Sequence, residues 1–237
     1  MAAPQARILV LGPRGVGKSS LVNLLVMAES EVRDHFGEKN FVVPVSGDDD
    51  VRVSPDIAVV FAPALNAFLV DTYGFGQRTS PKHVSPDLST LLTSLEPHKE
   101  TRWSLIIYCI KKGRLQEFEQ EAFRMFLDCV LGQTAVPILL YFSHCDDGPL
   151  AEAQDWYERN KPALDKAGIR QQGVVFGCGK KDILDVDPGE SPILYGNRRV
   201  NTRKAALDVI RSLSLPEPVQ LKSRTSLLGG LLGLLGK

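Results

Sequence analysis

The stretch Gly12-Pro13-Arg14-Gly15-Val16-Gly17-Lys18-Ser19 decides how the rest of the chain is read. It fits the phosphate-cradling pattern G-x-x-x-x-G-K-[ST] at every fixed position. Before it stands the apolar run RILVL, residues 7–11, as expected of a strand buried on both faces. After it Leu21, Leu24 and Leu25 recur at helical spacing, so a helix is expected over residues 18–28. A strand, a glycine-rich turn and a helix in that order aim backbone N–H groups and the positive end of the helix at one point, where phosphate oxygens fit. Lys18 is expected to reach the β and γ phosphates, and Ser19 to ligate Mg²⁺. Gly12, Arg14, Gly15, Val16, Gly17 and Ser20 complete the set expected to touch the nucleotide. The competing account is a glycine-rich turn that only closes a strand–helix unit.

Outward from this loop the chain alternates strands with helices. Strand-like runs occur at residues 57–62 (IAVVFA), 67–70 (AFLV), 105–110 (LIIYCI), 136–142 (VPILLYF) and 174–176. Helical patterns are expected at 86–95, 116–131, 151–167 and 201–213. Residues 29–55 read as polar and irregular, and 71–81 as a loop. Alternation of this kind implies an α/β fold of three layers, a mostly parallel central sheet flanked by helices. No internal repeat is present.

Two further segments address the choice of nucleotide. Asp71-Thr72-Tyr73-Gly74 ends the third strand. A carboxylate there can hold Mg²⁺ through water, and the Gly74 N–H can sense a γ-phosphate; an Asp that caps a turn is the alternative. Ser143-His144-Cys145-Asp146 follows ILLYF. Guanine presents an N1–H and a 2-amino group side by side, and one carboxylate accepts both. Adenine has no such edge and would leave a buried carboxylate unpaired. Asp146 is therefore the candidate reader, with His144 flat against the base. Gly177-Cys178-Gly179 follows the next strand, where a backbone N–H could meet the guanine O6; a tight glycine turn is the competing account.

Composition is consistent with one ordinary globular domain. The chain has 237 residues, 43% hydrophobic and 24% charged, with 28 basic and 28 acidic side chains. A neutral chain argues against nucleic-acid binding by bulk positive charge. The balance is uneven: residues 198–237 hold eight basic and two acidic residues, so that region carries a net +6 and the remainder −6. The four cysteines form no CxxC unit, and reduced thiols point to a cytoplasmic setting.

With these segments in order, the chain resembles the TRAFAC class of GTPases, most closely the immunity-associated (IAN/GIMAP-type) and Toc-type members, over residues 7–213. GPRGVGKSS resembles that family's phosphate loop, DTYGFG its DTPGF/L segment with Tyr73 in place of proline, and SHCDD its base-reading box. CIKKGR, residues 109–114, resembles a box peculiar to the immunity-associated group. The resemblance implies a G domain that binds GTP or GDP with Mg²⁺ and pairs with a second copy across the nucleotide. Two departures stand out. The switch threonine that completes the metal shell has no threonine counterpart between residues 29 and 71; Ser54 is the best substitute and Ser46 the second. Phe75 occupies the place where small GTPases often carry a water-positioning glutamine, so a lone copy should hydrolyse GTP to GDP and phosphate slowly. A group supplied in trans can raise such rates about 10³–10⁵-fold. Arg14 and Arg114 are the candidate catalytic charges for that contact. Each is also readable as a solvated cation.

Residues 1–215 thus read as the nucleotide-binding domain and 216–237 as a tail. The tail ends LLGGLLGLLGK, six leucines and four glycines before a lysine. It is too short to span a bilayer. It could contact an intracellular membrane surface, pack back on the domain or a partner, or remain a disordered end. Two function classes follow: a GTPase switch or scaffold, and an interaction module that holds GTP or GDP without hydrolysing it.

Overall fold

The computed structural model describes residues 6–34, 40–43, 57–72, 74, 102–113, 120, 123–124, 136–145, 150–166, 168, 171–178 and 192–220. Strand β1 spans Ala6–Leu11 and helix α1 Lys18–Val26, followed by a short helix α2, Glu29–Asp34. Strands β2 (Ala58–Ala62) and β3 (Ala67–Asp71) flank a single 3-10 turn at Pro63–Leu65. Then come β4 (Arg102–Trp103), β5 (Leu105–Lys111), β6 (Ile138–Ser143), α3 (Leu150–Lys166), β7 (Gly173–Phe176), α4 (Pro192–Leu213) and β8 (Val219–Gln220).

Six strands form the central sheet in the order β2-β3-β1-β5-β6-β7. All pairs are parallel except β2 with β3, which are joined by too short a turn to be anything else. From β1 the chain moves to one side to reach β3, and later to the other side for β5, β6 and β7. The strand order therefore reverses beside β1, and a crevice opens there at the carboxyl ends of the strands. The two faces are packed separately. Ile8, Val10, Leu69, Ile107 and Cys109 meet α1 and α4 through Leu21, Leu25, Leu207 and Ile210. Leu9, Leu11, Val70, Tyr108 and Phe142 meet the other layer, which holds Ala153, Tyr157 and Leu164 of α3. The alternation of these two sets along β1 is the period-2 signature of a strand buried on both sides. The expected three-layer architecture is the one found.

The second layer is rich in aromatic contact. Phe142 stacks on Phe176 at 5.7 Å and meets Trp156 and Tyr157 edge-on at 5.4 and 5.7 Å. Of the helix expected at 116–131, Gln120, Phe123 and Arg124 are described and helical, and Phe123 packs on Tyr108 at 4.3 Å. The helix expected at 86–95 lies outside the described residues.

Several boundaries differ from the sequence reading. Residues 29–34 are helical rather than irregular. Two interactions explain this short helix. The Ala28 N–H donates to Glu31 Oε2 at 2.9 Å, closing the amino end as a capping box does. At the carboxyl end the Arg199 guanidinium, from far along the chain, donates to the carbonyls of Val32 and Arg33 at 3.0 and 3.2 Å. The last helix starts at Pro192, nine residues earlier than expected, with proline at its first position where a missing N–H costs nothing. Ordered structure also continues past residue 215. The Leu215 N–H donates to the Ser104 carbonyl at 3.0 Å, and Val219–Gln220 pairs antiparallel with Arg102–Trp103. The body thus includes the first residues assigned to the tail. No helix among the described residues is long and apolar enough to cross a membrane.

Candidate functional site

The loop between β1 and α1 begins at Gly12, which is buried against the Cys109 backbone. Gly15 and Gly17 have φ of 74° and 79°, a conformation that side chains disfavour. Gly17 ends the loop as the residue before the first turn of α1. Val16 is buried and anchors the loop in the α1 side of the core. Gly15 is exposed, while Arg14, Ser19 and Ser20 are half-buried at the loop rim.

Lys18 is buried, and its Nζ donates to the Pro13 carbonyl at 2.7 Å. Burial holds its pKa below the usual lysine value, opposed by the nearby Asp71 carboxylate. Asp71 ends β3, in register with Val10 of β1. The Ser19 hydroxyl donates to its Oδ2 at 2.6 Å. Its other oxygen, Oδ1, is buried and has no hydrogen-bond partner. Burial raises the Asp71 pKa, and the Ser19 hydroxyl, the Lys18 ammonium and the Thr72 N–H act against that rise. A carboxylate oxygen left bare in a buried site is expensive unless something positive comes to it.

This donor set fits a hard cation. Ser19 Oγ and Asp71 offer adjacent oxygens, and the orphaned Oδ1 marks an unmet need for positive charge. Among the described residues no group of three His, Cys, Asp or Glu could hold a metal alone. Phosphate oxygens and water would have to complete the shell, as is usual for Mg²⁺.

Gly74 closes the site from the β3 side. A side chain at this position would run into the backbone of Pro13 and Arg14, so glycine is required by close approach. Gly74 is thereby seated directly on the phosphate loop. Thr72 holds it there through its hydroxyl, which donates to the Val10 carbonyl at 2.8 Å.

The two other expected contact points lie at the carboxyl ends of β6 and β7. His144 has φ of 56°, a left-handed conformation unusual for a non-glycine residue. Its Nδ1 lies 2.9 Å from the Ser143 hydroxyl oxygen, which is also 3.3 Å from the Ile110 carbonyl. The Gly177 N–H donates to the Phe142 carbonyl at 2.7 Å, and the Gly177 carbonyl accepts from the Cys145 N–H at 3.1 Å. The Cys178 N–H donates to Thr202 Oγ1 of α4 at 3.1 Å. The Gly177 and Cys178 amides are therefore engaged within the protein, and Gly179 lies outside the described residues. The glycine at 177 is explained by Tyr141, whose hydroxyl occupies the space that a side chain would need.

Ser46, Ser54, Arg114 and Asp146 lie outside the described residues, as does the segment 221–237. The structure brings together Gly12, Lys18, Ser19, Asp71 and Gly74 around the phosphate loop. It places Ser143, His144, Gly177 and Cys178 along the same strand ends.

Two positioning residues escape the sequence reading. Asn23, fully buried in α1, accepts the Val42 and Val43 N–H groups at 2.8 and 2.9 Å and donates to the Val43 carbonyl at 2.8 Å. It ties residues 42–43 to the helix that starts at the phosphate loop. An asparagine among Leu21, Val22, Leu24 and Leu25 is the signal, because a buried amide needs partners. Thr202 had no comparable mark in the sequence, although it is buried on the face of α4 that carries Ala206 and Ile210.

No family model matches the sequence, and no curated protein matches it. Solved structures do resemble it. Translation elongation factor SelB from Methanococcus maripaludis, in complex with the GTP analogue GppNHp, is 13% identical with a TM-score of 0.49, over 91% of this chain and 35% of that one. A GTP-binding protein from the hyperthermophilic archaeon Sulfolobus solfataricus, in complex with GDP, is 18% identical with a TM-score of 0.41, over 85% of this chain and 53% of that one. A complex of SsGBP with GDP is 17% identical with a TM-score of 0.46, over 89% of this chain and 52% of that one. The chain thus spans between about a third and just over half of the length of these proteins.

Proposed function

We propose that this chain is a guanine-nucleotide-binding G domain that takes GTP and GDP with Mg²⁺ at the loop between β1 and α1. The observation that carries the reading is the buried Lys18–Ser19–Asp71 constellation, with Asp71 Oδ1 unpaired. Lys18 exchanges the Pro13 carbonyl for phosphate oxygens, and the loop N–H groups fix the remaining phosphates. Bound Mg²⁺ neutralises phosphate charge. Ser19 and Asp71 hold the metal side, and Gly74 brings the segment after β3 against the phosphates.

Guanine selectivity is assigned to Asp146, next to the β6 end. Replacing Asp146 with Asn should lower GTP affinity about 10- to 100-fold, the worth of a charge-assisted pair. The variant should gain affinity for xanthine nucleotides, whose edge complements an amide. Calorimetric titration with GDP, xanthosine diphosphate and ADP checks this. Unchanged selectivity removes Asp146 from the role.

Hydrolysis is the slower part of the reading. Phe75 cannot orient water, so we assign the missing charge to a second copy docking across the nucleotide, with Arg14 and Arg114 as its candidate donors. Phosphate release per molecule then rises with protein concentration over a hundredfold range, whereas a flat specific activity excludes the dimer. Phe75 also supports a second reading, a module that holds GTP or GDP without turnover. Under that reading phosphate release stays at background while nucleotide still binds.

A further inference from the structure

Among the described residues, Val42, Val59 and Phe61 are the exposed large hydrophobics. Two of them stand together. Val59 and Phe61 share one face of β2, the edge strand, and are 41% and 38% exposed. Phe61 pairs in register with Phe68 of β3, and Phe68 with Arg7 of β1. The Phe61 and Phe68 rings meet edge-on at 5.4 Å, and the Arg7 guanidinium lies 5.5 Å above the Phe68 ring. An apolar strip thus runs across three strands. It continues the face that α3 covers farther along the sheet.

The ribbon of β4 and β8 lies on this same face. Trp103 belongs to its core, and Val219 packs against it. The ribbon also lies at the near end of the sheet, because the Ser104 N–H donates to the Arg7 carbonyl at 2.9 Å. Gln220 pairs with Arg102, two residues below that level. From Arg102 to Phe61 is three strand spacings sideways and two residues of rise, about 16 Å, and the step across the ribbon to Gln220 adds up to about 5 Å. Residues 221–226, LKSRTS, put seven residue steps between Gln220 and Leu227, which span about 23–25 Å when extended. Next comes LLGGLLGLLGK.

We propose that residues 227–237 dock on the strip formed by Val59, Phe61 and Phe68, so that the chain covers its own exposed edge. The leucines supply apolar surface of the kind the rings lack on their outer side. The interspersed glycines let the backbone lie close to the rings.

The full chain tests this with a photo-reactive benzoyl-phenylalanine at position 61. Irradiation should produce an intramolecular cross-link to peptides within 227–237, with a yield independent of protein concentration. Cross-links to residues 75–101, cross-links between molecules, or no cross-link overturn the proposal. A second full-chain variant carries Leu228→Asp and Leu231→Asp. Hydrogen exchange of the 58–62 amides should speed up about tenfold, while GDP affinity stays unchanged. Unchanged exchange overturns the proposal. So does flotation of the wild-type chain with phosphatidylserine vesicles when no cross-link from position 61 forms.

Discussion

Lys18→Met reduces the nucleotide-induced rise in melting temperature to about 1 °C or less while leaving the fold intact. At a GDP concentration a hundred times its Kd, the wild-type chain gains about 2.7 kcal/mol from ligand. For a chain of this length that is roughly 5–10 °C. Lys18 contributes a charge-assisted contact in a buried site, worth about 3–4 kcal/mol, or about 10²–10³ in affinity. The variant therefore keeps at most about 0.4 kcal/mol, a shift of about 1 °C, at the same concentration. Methionine preserves the length of the side chain and its place in the core, and it loses the Nζ bond to the Pro13 carbonyl and the positive charge beside Asp71. Differential scanning fluorimetry with and without GDP measures both quantities. A variant that keeps the full shift would remove the phosphate loop from nucleotide binding.

Asp71→Asn separates ligand chemistry from stability. Burial raises the Asp71 pKa above its unfolded value. A carboxyl shifted in that direction favours the fold while it is protonated. Its contribution is fully present below the unfolded pKa and is lost as pH rises through the folded pKa. At pH 7 the ligand-free wild type thus carries the cost of a buried carboxylate with a bare Oδ1. Asparagine carries no such charge. The ligand-free variant should melt at or above the wild-type temperature at pH 7. The difference should shrink as pH falls, because the wild-type carboxyl then takes up its proton. Mg²⁺-dependent nucleotide affinity should move the other way and fall about 10²-fold, because the amide cannot supply the anionic oxygen. In the wild type, that Mg²⁺ dependence should itself weaken as pH falls through the Asp71 pKa. Melting curves from pH 4 to 8, with Mg²⁺ titrations at each pH, test the sign. A variant that melts lower at pH 7 and keeps its Mg²⁺ response would show that Asp71 is structural.

Both experiments concern residues legible from local pattern. GPRGVGKS between an apolar run and a helical run already points Lys18 and Ser19 at a phosphate, because nearby backbone geometry creates the anion site. Asp71 at a strand tip was readable for the same reason. Strand positions were readable because each buried parallel strand is a continuous apolar run, and their alternation with helices implies parallel pairing. Helix α2 was not readable, since its carbonyls are capped by Arg199, 166 residues from Arg33 in sequence. A buried arginine looks like a surface cation until the partner carbonyls are placed. The account of Gly177 changed for a similar reason: its missing side chain answers to Tyr141 on the neighbouring strand, and no local turn requires it.

By itself, then, the sequence determined the elements of the sheet and the phosphate loop, where spacing along the chain dictates geometry within one or two turns. Only the tertiary structure decided which oxygen of Asp71 is left bare, why Gly74 admits no side chain, and that the chain returns through β8 to the near end of the sheet. Each of those depends on atoms from segments far apart in sequence meeting within a few ångströms, which periodicity and motif spacing do not encode.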